Sequence, residues 1–149
     1  MSRTVWLFAL VAALGTLNAT PAAAQTSTGI RAGVSVDPDQ FYFGGHVETQ
    51  PLVDRLRFKP NAEIGIGNNR TVVALNLEFA YGFPSRRDWN VYAGGGPALV
   101  ISDTARDTSA GGGFNMLVGA SHQSGLFAEV KVGVVDSPGL KIGVGYSFR

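Results

Sequence analysis

Gly139-Leu-Lys-Ile-Gly-Val-Gly-Tyr-Ser-Phe-Arg149 is the stretch whose reading decides the fold. Alternate residues are apolar (Leu140, Ile142, Val144, Tyr146, Phe148), and those between them are small or charged (Lys141, Gly143, Gly145, Ser147, Arg149). Strand side chains point to opposite faces in turn, so a strand here has one apolar and one polar face. A soluble sandwich buries such an apolar face, whereas a barrel in lipid turns it outward.

The same alternation recurs upstream. Segments 30–37, 40–48, 56–67, 70–82, 89–101, 113–123 and 126–135 each show it, and none shows a helical period. Asp37-Pro38-Asp39, Asn68-Asn69, Ser124-Gly125 and Asp136-Ser137-Pro138-Gly139 separate them with turn chemistry. Pro60 and Pro97 lack an amide donor and are expected to mark bulges, or for Pro60 a late strand start. Residues 102–112 are expected to form the longest polar loop.

Ahead of these segments, Met1-Ser-Arg-Thr and the apolar run from Val5 to Leu14 lead to Pro21-Ala-Ala-Ala24. A positive start, a short apolar run and an A-x-A site make residues 1–24 a cleaved secretory signal peptide. The run falls short of the roughly 20 residues of a spanning helix. Residues 25–28 read as a polar leader and 29–149 as one domain. Arg3 is the single charged residue of the signal, so cleavage brings the 12 basic residues level with the 11 acidic ones. That balance gives no reason to expect nucleic acid as a partner. Without cysteine, an exported chain must hold itself by backbone pairing and packing.

Charges and aromatics then separate lipid from water. Arg31, Glu48, Arg57, Lys59, Glu63, Glu78, Glu129, Lys131 and Lys141 all fall opposite the aliphatic rows, on a face rich in glycine. A narrow lumen needs small residues and mutually paired charges. If successive strands run in opposite directions, Phe58, Phe79, Tyr81, Phe83, Trp89, Phe127, Tyr146 and Phe148 collect at the rim of the termini. Phe41, Phe43 and Phe114 then lie toward the other rim, as in an aromatic girdle. A soluble lipocalin- or avidin-like barrel would instead need its apolar rows inward. The fold expected is an all-β, eight-stranded antiparallel up-and-down transmembrane barrel.

The signal, the eight-segment meander and the ending Gly143-Val-Gly-Tyr-Ser-Phe148 resemble small bacterial outer-membrane β-barrel proteins of the opacity and OmpX/OmpA-barrel-like families. The resemblance implies a Gram-negative outer membrane as the address, with lipid and lipopolysaccharide as surroundings. It also implies that a terminal strand ending in an aromatic is read by the barrel-assembly machinery. Phe148 would be that aromatic; the family ends on it, whereas here Arg149 follows.

Little catalytic chemistry stands out. His46 lies beside Glu48 in a lumen row and reads as a satisfied polar residue rather than a ligand. With no cysteine and no neighbouring second histidine, neither metal nor cofactor is expected. His122-Gln123-Ser124 is similar to the H-x-S element of outer-membrane lipid A 3-O-deacylases. That resemblance implies Ser124 as nucleophile, His122 as base, and Glu129 or Asp136 as the orienting acid. The family's Asn after the serine is Gly125 here. The Gly94–Gly96 and Gly111–Gly113 clusters lack the lysine and helix of a phosphate loop, and mark excluded bulk or a loop base.

The function expected is therefore that of a non-enzymatic, monomeric outer-membrane barrel with a structural or surface-interaction role, the latter through Asp103, Arg106 and Asp107. A barrel of eight strands is filled by its side chains, so porin-like diffusion is not expected. The deacylase and the soluble ligand-binding barrel stand as the alternatives.

Overall fold

The computed structural model describes residues 26–67, 69–85, 87–135 and 137–148. Residues 1–24, where a signal peptide is expected, and Asp136 and Arg149 lie outside them. Eight strands follow in order: β1 (Ser27–Val36), β2 (Gln40–Glu48), β3 (Leu56–Gly67), β4 (Arg70–Gly82), β5 (Trp89–Thr104), β6 (Thr108–His122), β7 (Leu126–Val135) and β8 (Leu140–Phe148). Each pairs antiparallel with the next, and β8 closes on β1 from Thr28↔Phe148 to Val36↔Leu140. Closure gives every strand a neighbour on both sides and leaves no open sheet edge around the wall, the condition for a sheet to stand in lipid.

The apolar rows face outward. Ile30, Val34, Phe41, Val91, Val118, Val130, Ile142 and Val144 are all exposed, while Arg31, Lys59, Glu63, Glu78, Glu129, Lys131 and Lys141 are buried. A soluble barrel with inward apolar rows is thereby corrected: this one is inside out relative to a water-soluble protein.

Three boundaries differ from expectation by more than one residue: the start of β1, the end of β5 and the start of β6. Ser27 and Thr28 belong to β1, paired with Glu48 and Val47, so the leader is shorter than residues 25–28. Their polar side chains hide backbone pairing with β2, joined at Thr28 by pairing with β8. Residues 102–112 are mostly strand: Ser102 pairs with Ser109 and Asp103 with Thr108, leaving Ala105-Arg106-Asp107 as the turn. A hairpin projecting into water is polar on both faces, so alternation is silent there. β5 has 16 residues, well past the roughly 9–11 that a tilted strand needs to cross the apolar slab.

Pro60 and Pro97 introduce no bulge. Phe41↔Ile66, His46↔Asn61 and the Thr49 amide bond to the Phe58 carbonyl (3.0 Å) keep one register past Pro60. Asn76↔Ala98 and Phe79↔Gly95 likewise keep register past Pro97. Each proline interrupts the ladder on the side of the preceding strand without adding a residue, so the faces do not exchange. Asn69, with φ of 57°, sits in the left-handed conformation that a tight β3–β4 hairpin needs.

Candidate functional site

The lumen is built from side chains two residues apart on the inner face of each strand. β3 contributes Lys59, Asn61 and Glu63, β4 contributes Asn76 and Glu78, and β7 contributes Phe127, Glu129 and Lys131. Arg31 enters from β1, Lys141 from β8 and Asn115 from β6. Opposite them lie glycines, which leave room for the long side chains. A Cβ on Gly143 or Gly119 would meet the ring of Tyr42 or Tyr92.

The charges form one connected network. Glu63 accepts from Lys131 at 2.9 Å, Lys141 at 2.5 Å and Arg31 at 3.3 Å. Glu78 accepts from Lys131 at 2.7 Å and from Asn61 Nδ2 at 2.7 Å. Glu129 accepts from Arg31 at 3.2 Å, Lys59 at 3.3 Å and the Tyr92 hydroxyl at 2.8 Å. The amides extend it: Asn76 donates to Asn61 at 2.7 Å, and Asn115 donates to Asn76 at 2.8 Å. Glu63, Glu78 and Asn76 are the most completely buried large side chains described. Carboxylates removed from water are tolerable only when their lone pairs are met this fully.

Rings pack against the cations. Lys59 lies 4.4 Å from the centroid of Phe127 and 4.8 Å from that of Tyr92, and Lys141 lies 5.1 Å from that of Tyr42. Phe127 is therefore not a rim aromatic. It is 3% exposed and points inward, because its position in β7 shares the parity of Glu129 and Lys131. His46 donates to or accepts from Ser147 Oγ at 2.9 Å and meets Phe127 edge to face.

All six expected lumen charges (Arg31, Glu63, Glu78, Glu129, Lys131, Lys141) thus meet in one network, joined by Lys59. Glu48 and Arg57 stay at the mouth beside the termini, paired with each other rather than with the network. The structure adds Tyr92, Asn61, Asn76 and Asn115, whose inward parity is readable in the sequence but whose neutral side chains carry no charge signal. Above the network, toward the β1–β2 turn, a cavity of only about 10 Å³ remains between Gln40, Tyr42 and Lys141. Below it, a larger one of about 220 Å³ opens between Lys59, Tyr92 and Phe127 and the mouth.

Phe79, Tyr81, Trp89, Tyr146 and Phe148 all face outward near the strand ends beside the termini. Tyr146 and Phe148 touch edge to face at 5.3 Å, as do Tyr81 and Phe83 at 5.5 Å. Phe41, Phe43 and Phe114 face outward toward the opposite rim.

His122 Nδ1 lies 2.8 Å from Ser124 Oγ and also accepts from the Ser124 amide at 3.1 Å. The ring packs on Trp89 at 5.0 Å. Glu129 does not reach it, being held inside the barrel by Lys59, Arg31 and Tyr92. Asp136, the other acid considered, lies outside the described residues. The contact is that of a self-bonded turn. Among the described residues no three His, Cys, Asp or Glu side chains gather as metal ligands. Gly94 and Gly96 are positions of excluded bulk, where a Cβ would strike the backbone of β4, whereas Gly112 stands in open space on the projecting hairpin.

At the tip of that hairpin, Asp103 accepts from Thr108 Oγ1 at 2.5 Å, and Asp107 accepts from the Thr108 amide at 2.9 Å. Both acids are spent on folding the hairpin.

Comparison with known proteins agrees with this architecture. No family model and no curated protein sequence matches the chain. Among solved structures, it resembles Neisserial surface protein A (NspA) with a TM-score of 0.62 and 14% identity, over 83% of this chain and 96% of that one. It also resembles the N-terminal β-barrel domain of Pseudomonas aeruginosa OprF, with a TM-score of 0.56 and 16% identity, over 84% of this chain and 99% of that one. At these identities what is shared is the fold, that of small bacterial outer-membrane β-barrels.

Proposed function

We propose that the chain is a non-enzymatic integral protein of the bacterial outer membrane, serving the envelope as a closed structural barrel. One observation carries this reading: aliphatic side chains cover the outer wall while charged ones are buried in the lumen. In water that arrangement would expose the apolar wall, a cost that lipid removes, while the buried charges are offset by pairing with one another. The ion-paired lumen, its carboxylates and cations bonded across the barrel, supports a sealed barrel rather than a diffusion pore. The termini would face the periplasm, after export through the cleaved signal and insertion by the barrel-assembly machinery as a monomer. The β5–β6 hairpin would then project from the cell surface, with Arg106 at its turn open to contacts.

The test is fractionation together with heat-modifiable gel mobility. The folded barrel should travel with the outer membrane and shift on boiling in detergent. A folded protein recovered in water without detergent would sink the reading.

A lipid A deacylase is the second reading, favoured only by the 2.8 Å contact of His122 with Ser124. Loss of 3-O-acyl groups from lipid A on expression of the wild type, abolished by Ser124→Ala, would establish it.

A further inference from the structure

The 220 Å³ cavity at the mouth beside the termini has a chemistry of its own. Its floor is the Lys59–Tyr92–Phe127 layer, so it is a blind vestibule rather than the entrance of a channel. Arg55, Arg57 and Lys59 line it against a single acid, Glu48. Arg57 spends one guanidinium nitrogen, Nη1, on Glu48, and its side chain stays half exposed. Lys59 is already held by Glu129.

Arg55 is held in place by its backbone. The 49–55 loop is folded on itself by Leu52 N–H to Leu56 O (2.7 Å) and Leu56 N–H to Val53 O (2.9 Å). The Arg55 carbonyl accepts from Gly82 N–H at 3.1 Å, tying the loop to β4. Arg55 is among the residues that line the vestibule, and it makes no ion pair to any described residue.

Facing these cations are Asn90 and Ser121, with Pro51, Phe83 and Phe127 as apolar wall. We propose that this vestibule is a binding site for a compact, soluble organic dianion, its carboxylates met by Arg55 and Arg57 and its carbon skeleton by Phe83 and Phe127. The cation excess selects for negative charge, and guanidinium forks suit carboxylates. The apolar wall selects a carbon skeleton over a bare inorganic ion. The volume is below the roughly 300–1,000 Å³ of sites for drug-sized ligands, which limits the occupant to a small molecule. That the solute comes from the periplasm rests on the membrane orientation proposed above.

Succinate is the probe, titrated calorimetrically into the mature chain folded in non-ionic detergent, with folding checked by heat-modifiable mobility. Saturable binding that weakens with salt is expected. Arg55→Gln with Arg57→Gln should weaken it by about tenfold or more, the loss expected for removing charge-assisted hydrogen bonds. Glu48→Gln moves the other way: it frees Arg57 and removes the repelling acid, so succinate should bind several-fold more tightly. Gln40→Ala, at the opposite mouth, should change nothing. A folded wild-type barrel that does not bind succinate overturns the proposal, as does unchanged affinity in the arginine double variant. Binding of inorganic phosphate but not succinate overturns the assignment to an organic dianion. Failure of the barrel to fold in detergent at all would strike the membrane reading instead.

Discussion

Lys131 and Glu78 meet at 2.7 Å inside the lumen although 53 residues separate them and their strands, β7 and β4, share no ladder. The contact reaches across the barrel, so it fixes the distance between walls that backbone pairing leaves unlinked. Lys131 also donates to Glu63 at 2.9 Å and lies 3.6 Å from Glu129, so one ammonium faces three carboxylates. Lys131→Met should therefore cost about 3–5 kcal/mol of unfolding free energy, because it leaves buried charge short of a partner. Urea titration of the barrel in lipid vesicles measures this. Adding Glu78→Leu removes one of the stranded carboxylates, so the double variant should recover part of the loss; strictly additive losses would refute the coupling.

The outer wall makes an opposite prediction. Val144 lies in the middle of β8, faces outward at 58% exposure, and has Ala32 and Ala128 as its cross-strand neighbours. On a soluble protein, an exposed Val→Arg change stays within about ±0.5 kcal/mol. On a lipid-facing wall near the midplane it should cost roughly 2–4 kcal/mol. The folding equilibrium of Val144→Arg in vesicles discriminates between the two.

Asp107→Ala should loosen the β5–β6 tip without touching the barrel. Its carboxylate accepts from the Thr108 amide at 2.9 Å, an exposed bond whose loss costs about 0.5–1.5 kcal/mol locally. Amide exchange should quicken at residues 103–108 and stay slow at 114–120. Uniform quickening would mean that the hairpin is integral to the barrel's stability rather than an extension of it.

What was legible in the sequence follows from where one face met lipid and the other met the lumen. All eight strands and the inward set from Arg31 to Lys141 could be read there, since an environment that differs by face writes a period of two. The signal failed where both faces meet water, as at Ser102 to Thr104 and Thr108 to Gly112, and at polar Ser27 and Thr28. Pro60 and Pro97 misled for another reason: a missing donor signals a lost ladder bond, and either a bulge or a simple gap satisfies it. Residue type alone points Phe127 to the rim, whereas its parity with Glu129 and Lys131 puts it inside. No local pattern could have said which cation meets which carboxylate in the lumen, because, Lys131 with Glu129 inside β7 apart, those partners come from non-adjacent strands.

Ser124→Ala tests the hydrolase reading. Ser124 Oγ is bound to a ring nitrogen that also accepts the Ser124 amide, and Glu129 is engaged inside the lumen. With Glu129 held away and no other orienting carboxylate shown on His122 among the described residues, expression of wild type and of Ser124→Ala should leave identical lipid A mass spectra. A serine-dependent loss of one acyl chain in the wild type would overturn the non-enzymatic reading.

Phe148→Ala separates folding from assembly. The ring is 52% exposed, points outward and touches Tyr146, while the backbone pairs with Thr28 in the seam that closes the barrel. Since the seam is made by main-chain bonds, alanine at this position leaves it intact, and refolding of the purified chain in detergent should proceed nearly as for the wild type. If the terminal aromatic is instead what the assembly machinery reads, the same variant should accumulate unfolded in the periplasm of living cells. Normal refolding with failed insertion is the expected pair of results. Normal insertion in cells would sink the assembly role, and failure in both settings would make Phe148 a packing residue of the barrel itself.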